Sequence, residues 1–91
     1  MKRVEIVASE LVQAEILAAL EKAVPGIEYT LIPEAHGSGK RTRKEGTSIW
    51  PELNFVLFAY LDDEEAAAAL GALSLVRERF PGEGISAFCL G

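Results

Sequence analysis

The chain has 91 residues, 49% of them apolar, and a formal net charge of −5. This length fits one small domain spanning residues 1–91, and the apolar content supplies a core, which excludes a globally disordered chain. The acidic balance argues against general nucleic-acid binding, because that function needs a broad basic surface.

The first half of the chain contains patterns for two strands and a helix between them. Arg3–Ala8 alternates between two faces and is predicted to be a strand. Apolar residues recur at helical spacing over Glu10–Val24, where Ser9 is positioned to cap the helix and Pro25-Gly26 to end it. Ile27–Pro33 alternates again and is predicted to be the second strand.

The second half begins with a long polar segment. Glu34–Glu52 has no sustained period and collects glycine, serine, threonine and charge, so we predict a loop at about residues 34–53. Asn54–Leu61 is apolar with hardly a break, which is typical of a strand covered on both faces. A helix from Asp62 to about Phe80 and a final strand at Ile85–Leu90 are predicted to follow.

This order of elements predicts an α+β fold. It matches the ferredoxin-like βαββαβ sandwich, in which a four-stranded antiparallel sheet carries both helices on one face. Two helices shield only one face of the sheet. The second face of Asn54–Leu61 is therefore expected to need a partner subunit.

Four consecutive acidic residues, Asp62-Asp63-Glu64-Glu65, allow two interpretations. An acidic cluster can hold a metal ion, but the spacing of Asp62 and Glu65 also matches a capping box at a helix start. The other acids complement the helix dipole. We interpret the segment as a capping box.

The basic residues are concentrated in His36–Lys44. This stretch holds four of the nine lysines and arginines and none of the fourteen acidic residues, so the remainder of the chain has a net charge of −9. Gly37-Ser38-Gly39-Lys40 lacks the spacing of a Walker motif, but backbone N–H groups beside glycines and a lysine can cradle an anion. The alternative is a solvated loop tip without a ligand.

No arrangement of residues predicts catalysis. His36 is the only histidine and Cys89 the only cysteine, and neither belongs to a nucleophile motif. Cys89 falls within the last predicted strand, where we expect a buried apolar side chain. A lone cysteine also excludes an internal disulfide and fits a reducing cytoplasm, as does the absence of a predicted signal peptide or membrane span. We predict that the protein is not an enzyme.

The chain resembles the PII-type signal-transduction proteins and their short PII-like relatives over nearly its whole length. The resemblance rests on the element order, on the long loop between the second and third strands, and on two short motifs. Gly37-Ser38-Gly39-Lys40 is similar to the glycine-rich start of the family's T-loop, and Gly82-Glu83-Gly84 is similar to its B-loop.

This resemblance implies a homotrimer with the sheets facing inward and T-loops that reach a target such as a membrane transporter or an enzyme. It also implies an adenine nucleotide (ATP, ADP or AMP) as effector, bound between subunits, and no required cofactor. The implied ligand-binding residues are Gly37, Ser38, Gly39, Lys40, Arg41, Gly82, Glu83 and Gly84. The implied partner-binding loop contains His36, Arg43, Lys44 and Trp50, the last of which is expected to anchor the loop base.

Two features depart from the family pattern. A basic residue usually follows the B-loop glycines to meet phosphate, whereas Ile85 occupies that position here. The resemblance also places a basic C-terminal segment of longer family members after Gly91, and we expect no counterpart of it here. Nucleotide binding would therefore depend on Lys40, Arg41, Arg43 and Lys44.

The leading hypothesis is a non-enzymatic PII-like regulator that senses a small anionic metabolite and controls a target protein through its basic loop. Ligand binding would order the loop, and the ordered loop would engage or release the target. One alternative is a protein-interaction module without a small ligand. Another is a metal-binding trimer of the same fold that uses His36 and carboxylates.

Overall fold

A computed structural model describes residues 1–36 and 53–91 of the chain. These residues form four strands, two α-helices and one 3₁₀ turn. In chain order they are β1 (Lys2–Ser9), the 3₁₀ turn (Glu10–Val12), α1 (Gln13–Ala23), β2 (Thr30–His36), β3 (Leu53–Leu61), α2 (Asp63–Arg79) and β4 (Ile85–Leu90).

The four strands form one antiparallel sheet in the order β2-β3-β1-β4. The central strand β1 pairs with two neighbours, so that Ile6 lies opposite Leu57 of β3 and Ala87 of β4. This order and the βαββαβ sequence of elements confirm the predicted ferredoxin-like fold.

Both helices pack on the same face of the sheet and form the core with it. Alternate residues of β1 and β3 enter this core, because successive side chains of a strand point to opposite faces. The fully buried large side chains come from the sheet and from both helices: Val4, Ile6, Phe55 and Leu57 from the strands, Val12, Ile16 and Leu20 from the first helical segment, and Leu73 and Val76 from α2.

The opposite face of the sheet has no covering element among the described residues, and we call it the open face. It carries the side chains that alternate with the core positions: Arg3, Glu5 and Val7 of β1, Thr30 and Ile32 of β2, Val56, Phe58 and Tyr60 of β3, and Ser86, Phe88 and Leu90 of β4. Tyr60, Phe88 and Leu90 are each more than half exposed. The nearly continuous apolar run of β3 is therefore covered on one face and uncovered on the other.

The helix starts follow the predicted caps, with one correction. Asp62 accepts a hydrogen bond from the Glu65 amide at 2.8 Å, and the Glu65 carboxylate accepts one from the Asp62 amide at 3.1 Å. This reciprocal pair confirms the capping box. Ser9 Oγ accepts from the Leu11 amide, but Glu10–Val12 forms a 3₁₀ turn and the α-helix begins only at Gln13, three residues later than predicted.

The second strand differs from its prediction at both ends. It begins at Thr30 and not at Ile27, and it continues through Glu34 to His36, so the predicted loop start at Glu34 is wrong. A β-bulge between Ile32 and Ala35 lets the strand resume pairing with β3 after one extra residue. Glu34 adopts a φ of 56° in this bulge.

Cys89 is also placed differently from the expectation. It is exposed, because it lies near the end of edge strand β4 where the helices do not cover the sheet. Within the described residues, neither helix has the length and apolar character needed to cross a membrane.

Candidate functional site

One end of the sheet brings together several of the residues nominated from the sequence. His36, the last residue of β2, pairs with Leu53, the first residue of β3, and Asn54 lies opposite both Ala35 and Ser9. The chain therefore leaves the sheet after His36 and returns to it at Leu53, both at this end. We call this end of the sheet the loop end.

The turn between α2 and β4 lies at the same end. The Ser9 amide donates a hydrogen bond to the carbonyl oxygen of Gly84 at 3.3 Å, and Ala8 pairs with Ile85. Only β1 stands between β3 and β4, and Ala8 pairs with both Phe55 and Ile85, which are therefore about 10 Å apart at the usual strand spacing of about 4.8 Å. Leu53 lies two residues before Phe55 on β3. The fold thus places Gly82, Glu83 and Gly84 at the same end as His36.

The two glycines of this turn are not required by the packing of the described chain. A Cβ atom added to Gly82 or Gly84 would meet no heavy atom within 4 Å, and neither residue has a left-handed φ. The turn is held by a hydrogen bond from the Glu83 amide to the carbonyl oxygen of Phe80 at 3.0 Å. No described residue therefore occupies the space beside either glycine.

Arg77 is a functional candidate that the sequence reasoning missed. Its Nε donates to the carbonyl oxygen of Ile85 at 3.3 Å, which places an exposed guanidinium beside the glycine turn. In the sequence Arg77 is noticed only as a cation in the last turn of a helix, since eight residues separate it from Ile85. Ile85 itself is buried in the core, so it does not present a side chain at the turn.

The remaining nominated residues lie outside the described part of the chain. They are Gly37, Ser38, Gly39, Lys40, Arg41, Arg43, Lys44 and Trp50. Within residues 1–36 and 53–91 there is no group of three histidine, cysteine, aspartate or glutamate residues that could hold a metal ion.

The fold and the loop end can be compared with solved structures. CPII from Thiomonas intermedia K12, bound to ADP, AMP and acetate, superposes with a TM-score of 0.71 at 16% identity, over 98% of this chain and 82% of that one. A protein from Thermus thermophilus described as a PII-like signaling protein, TTHA0516, gives a TM-score of 0.62 at 29% identity, over 97% and 82% of the two chains. This chain has the fold of the PII-like proteins.

The likeness of fold extends beyond natural proteins. The de novo designed protein Foldit4 matches this chain with a TM-score of 0.62 at 12% identity, over 99% of this chain and 96% of that one. The sequence matches no established protein-family profile and no curated protein at significant similarity. Function must therefore be argued from the site and not from the fold alone.

A separate groove lies between the two helices, away from the loop end. It has a volume of about 690 Å³ and its floor consists mainly of alanines from α1 and α2, with Lys22 and Arg79 among the lining side chains. None of the residues nominated from the sequence lines this groove. It therefore adds nothing to the candidate site.

Proposed function

We propose that this PII-like chain is a non-enzymatic regulator that binds an adenine nucleotide at the loop end and controls a target protein through residues 37–52. The observation that carries the proposal is the meeting of two segments: both ends of the basic loop and the Gly82–Gly84 turn stand at one end of the sheet. CPII, which shares the fold, has been solved with ADP and AMP bound.

The open glycine turn supports close approach of a ligand. A glycine that the fold does not need costs conformational entropy, and such a position is useful where another molecule approaches the backbone. Gly82 and Gly84 both fit this description, since no atom of the described chain occupies the space beside them. We infer that the ligand, or a neighbouring subunit that helps to hold it, contacts the backbone here.

Arg77 supplies the positive charge that Ile85 does not. An arginine carries five N–H donors, and within the described residues Arg77 uses only its Nε, on the Ile85 carbonyl oxygen, so both terminal nitrogens can donate to phosphate oxygens. Lys40 and Arg41 of the loop would add further cations. We therefore assign to Arg77 the phosphate contact that a basic residue after the glycines makes in the family pattern.

The chain is proposed to act as a homotrimer whose open faces point inward. This arrangement would cover the exposed aromatic and aliphatic side chains of β3 and β4, whose burial stabilises association. Nucleotide binding would select one conformation of residues 37–52, and this conformation would engage or release the target.

Calorimetric titration with ATP, ADP and AMP tests the proposal. We expect binding of at least one of the three by the unmodified protein. Arg77→Gln should weaken that binding by about 10- to 100-fold, because a hydrogen bond to a charged group is worth about 1.5–3 kcal/mol. Arg79→Gln is the matched control, since Arg79 lies two residues further along and stacks on the Phe80 ring; it should bind as the unmodified protein does.

A second pair of variants tests the glycine turn. Gly84→Ala should fold normally because its new methyl group meets open space, but it should lower nucleotide affinity if the ligand approaches the backbone there. Gly71→Ala also meets open space, yet it lies in the middle of α2, so nucleotide affinity should not change.

Flat titrations with all three nucleotides would overturn the ligand part of the proposal. The interaction module without a small ligand would then be favoured. In that case Lys40→Ala and Arg41→Ala should weaken capture of the target protein while the nucleotide titrations stay flat.

A further inference from the structure

A polar cluster lies on the open face, toward the end of the sheet opposite the loop end, where β1 begins and β3 and β4 finish. Arg3 and Glu5 are neighbours on this face of β1, and Arg3 Nε donates to Glu5 Oε2 at 2.6 Å. Arg3 Nη1 donates to the hydroxyl oxygen of Tyr60 on β3. The same guanidinium lies over the Phe58 ring, with its Cζ 4.6 Å from the ring centroid.

This cluster is fixed in place from several directions. The hydrogen bond to Glu5 raises the pKa of Arg3 above its ordinary value, and the guanidinium, like that of any arginine, is charged. The Phe58 and Tyr60 rings meet edge to face with centroids 6.5 Å apart, and both are close to the guanidinium. Cation–π contact and charge pairing thus act on one side chain.

Apolar side chains flank the cluster on two sides. Val7 and Val56 lie beyond Glu5, and Phe88 and Leu90 lie opposite Glu5 and Arg3 on β4. Any partner that covers these side chains must also cover the charges. Covering a charge without a partner group is strongly unfavourable, whereas a paired and hydrogen-bonded charge can be covered at far lower cost.

The N–H donors and the carboxylate oxygen that form no hydrogen bond within the cluster are complementary to one another. Within the described residues Arg3 uses two of its five N–H donors, and only one oxygen of Glu5 accepts from it. The side chains of Arg3 and Glu5 remain 35% and 31% exposed. One face therefore offers three donors and one carboxylate oxygen side by side, which is the pattern that a second copy of the same face would satisfy.

We propose that the Arg3–Glu5–Tyr60 cluster determines how copies of this chain associate through their open faces, with the free donors of Arg3 and the free oxygen of Glu5 meeting their counterparts in a neighbouring copy. This inference rests on the proposed inward orientation of the open faces. Burial of the flanking apolar side chains provides the favourable free energy of association. The cluster excludes arrangements that would leave a charge covered and unpaired.

Sedimentation velocity over a range of concentrations tests this inference with four variants. Arg3→Met and Glu5→Gln each leave one charge without its partner and should raise the concentration at half-assembly at least about a hundredfold. The double variant Arg3→Met/Glu5→Leu removes both charges and should assemble within about tenfold of the unmodified protein, or more tightly. Glu64→Gln, an exposed position in the first turn of α2 and away from the open face, is the control and should have no effect.

Three results would contradict the inference in different ways. If the unmodified protein assembles and both single variants match Glu64→Gln, the cluster does not direct association, and the proposed trimer survives. If the double variant does not assemble although circular dichroism shows that it is folded, an unpaired charge is not the reason why the single variants assemble poorly. If the unmodified protein is monomeric at every concentration, the proposed trimer fails, and this inference fails with it.

Tyr60→Phe keeps the test decisive if a single charge variant does not fold. It removes only the hydroxyl group that accepts from Arg3, and it leaves both the ring and the ion pair. We expect a weakening of assembly of about 2- to 10-fold, corresponding to one hydrogen bond. Assembly indistinguishable from that of the unmodified protein would contradict the role of the cluster.

Discussion

Glu34 is unusual among the described residues because it is not glycine and yet has a positive φ, 56°. A side chain in this left-handed region costs about 1–2 kcal/mol relative to the right-handed one. The residue lies in the bulge of β2, two positions before the strand ends at His36. The bulge therefore stores backbone strain at the point where the chain enters residues 37–52.

The strain at Glu34 makes a direct prediction for stability. Glu34→Gly should raise the free energy of unfolding by up to about 1 kcal/mol, because glycine accepts a positive φ without the steric cost that Glu34 bears. Urea unfolding at one fixed protein concentration measures the change.

Glu28→Gly is the matched control for this prediction. Glu28 is also exposed but has no positive φ, so its replacement should lower stability by about 0.5–1 kcal/mol. Equal losses in the two variants would show that Glu34 is not strained.

At the scale of the elements, the start of α2 is stabilised by a capping box that the sequence predicts. Asp62→Ala should lower the free energy of unfolding by about 1 kcal/mol, since it removes one half of the capping box and leaves the Glu65 amide without its acceptor. Asp63→Ala removes an acid one position later that is not part of the capping box, and it should cost clearly less. Thermal or urea unfolding of both variants distinguishes a cap from a general charge effect.

The sequence predicts elements more accurately than their ends. Every strand and helix was expected, because alternation and helical spacing record which side chains face the core. The predicted bounds of β2 are wrong because a bulge interrupts the alternation of side chains. No side-chain pattern indicates that the strand continues through Glu34 with a positive φ. The predicted start of α1 is wrong because a 3₁₀ turn and an α-helix have almost the same apolar spacing over three residues.

The candidate site was predictable only as far as chain topology determines it. A ferredoxin-like order necessarily brings the β2–β3 connection and the α2–β4 turn to one end of the sheet. The contact of Arg77 with Ile85 is tertiary, and it depends on how α2 ends above β4. The open space at Gly82 and Gly84 is also invisible in a sequence, where a glycine can equally mark a turn.

For the whole molecule, the two faces of the sandwich should respond differently to a new charge. Phe88→Asp places a carboxylate on the open face and should convert the proposed trimer to monomer, because the charge would be covered by a neighbouring copy. Leu75→Asp changes a similarly exposed apolar residue on the outer side of α2 and should leave assembly intact. Sedimentation of both variants at micromolar concentration decides the matter, and equal assembly states would contradict the inward orientation of the sheets.

Cys89 has a practical value that follows from its place on β4. It is the single cysteine of the chain, it is exposed, and it lies opposite Val4, on the helix-bearing side of the sheet and not among the side chains of the open face. A maleimide fluorophore attached there would mark each subunit once without entering the proposed interface. Energy transfer between differently labelled molecules could then follow subunit exchange in real time.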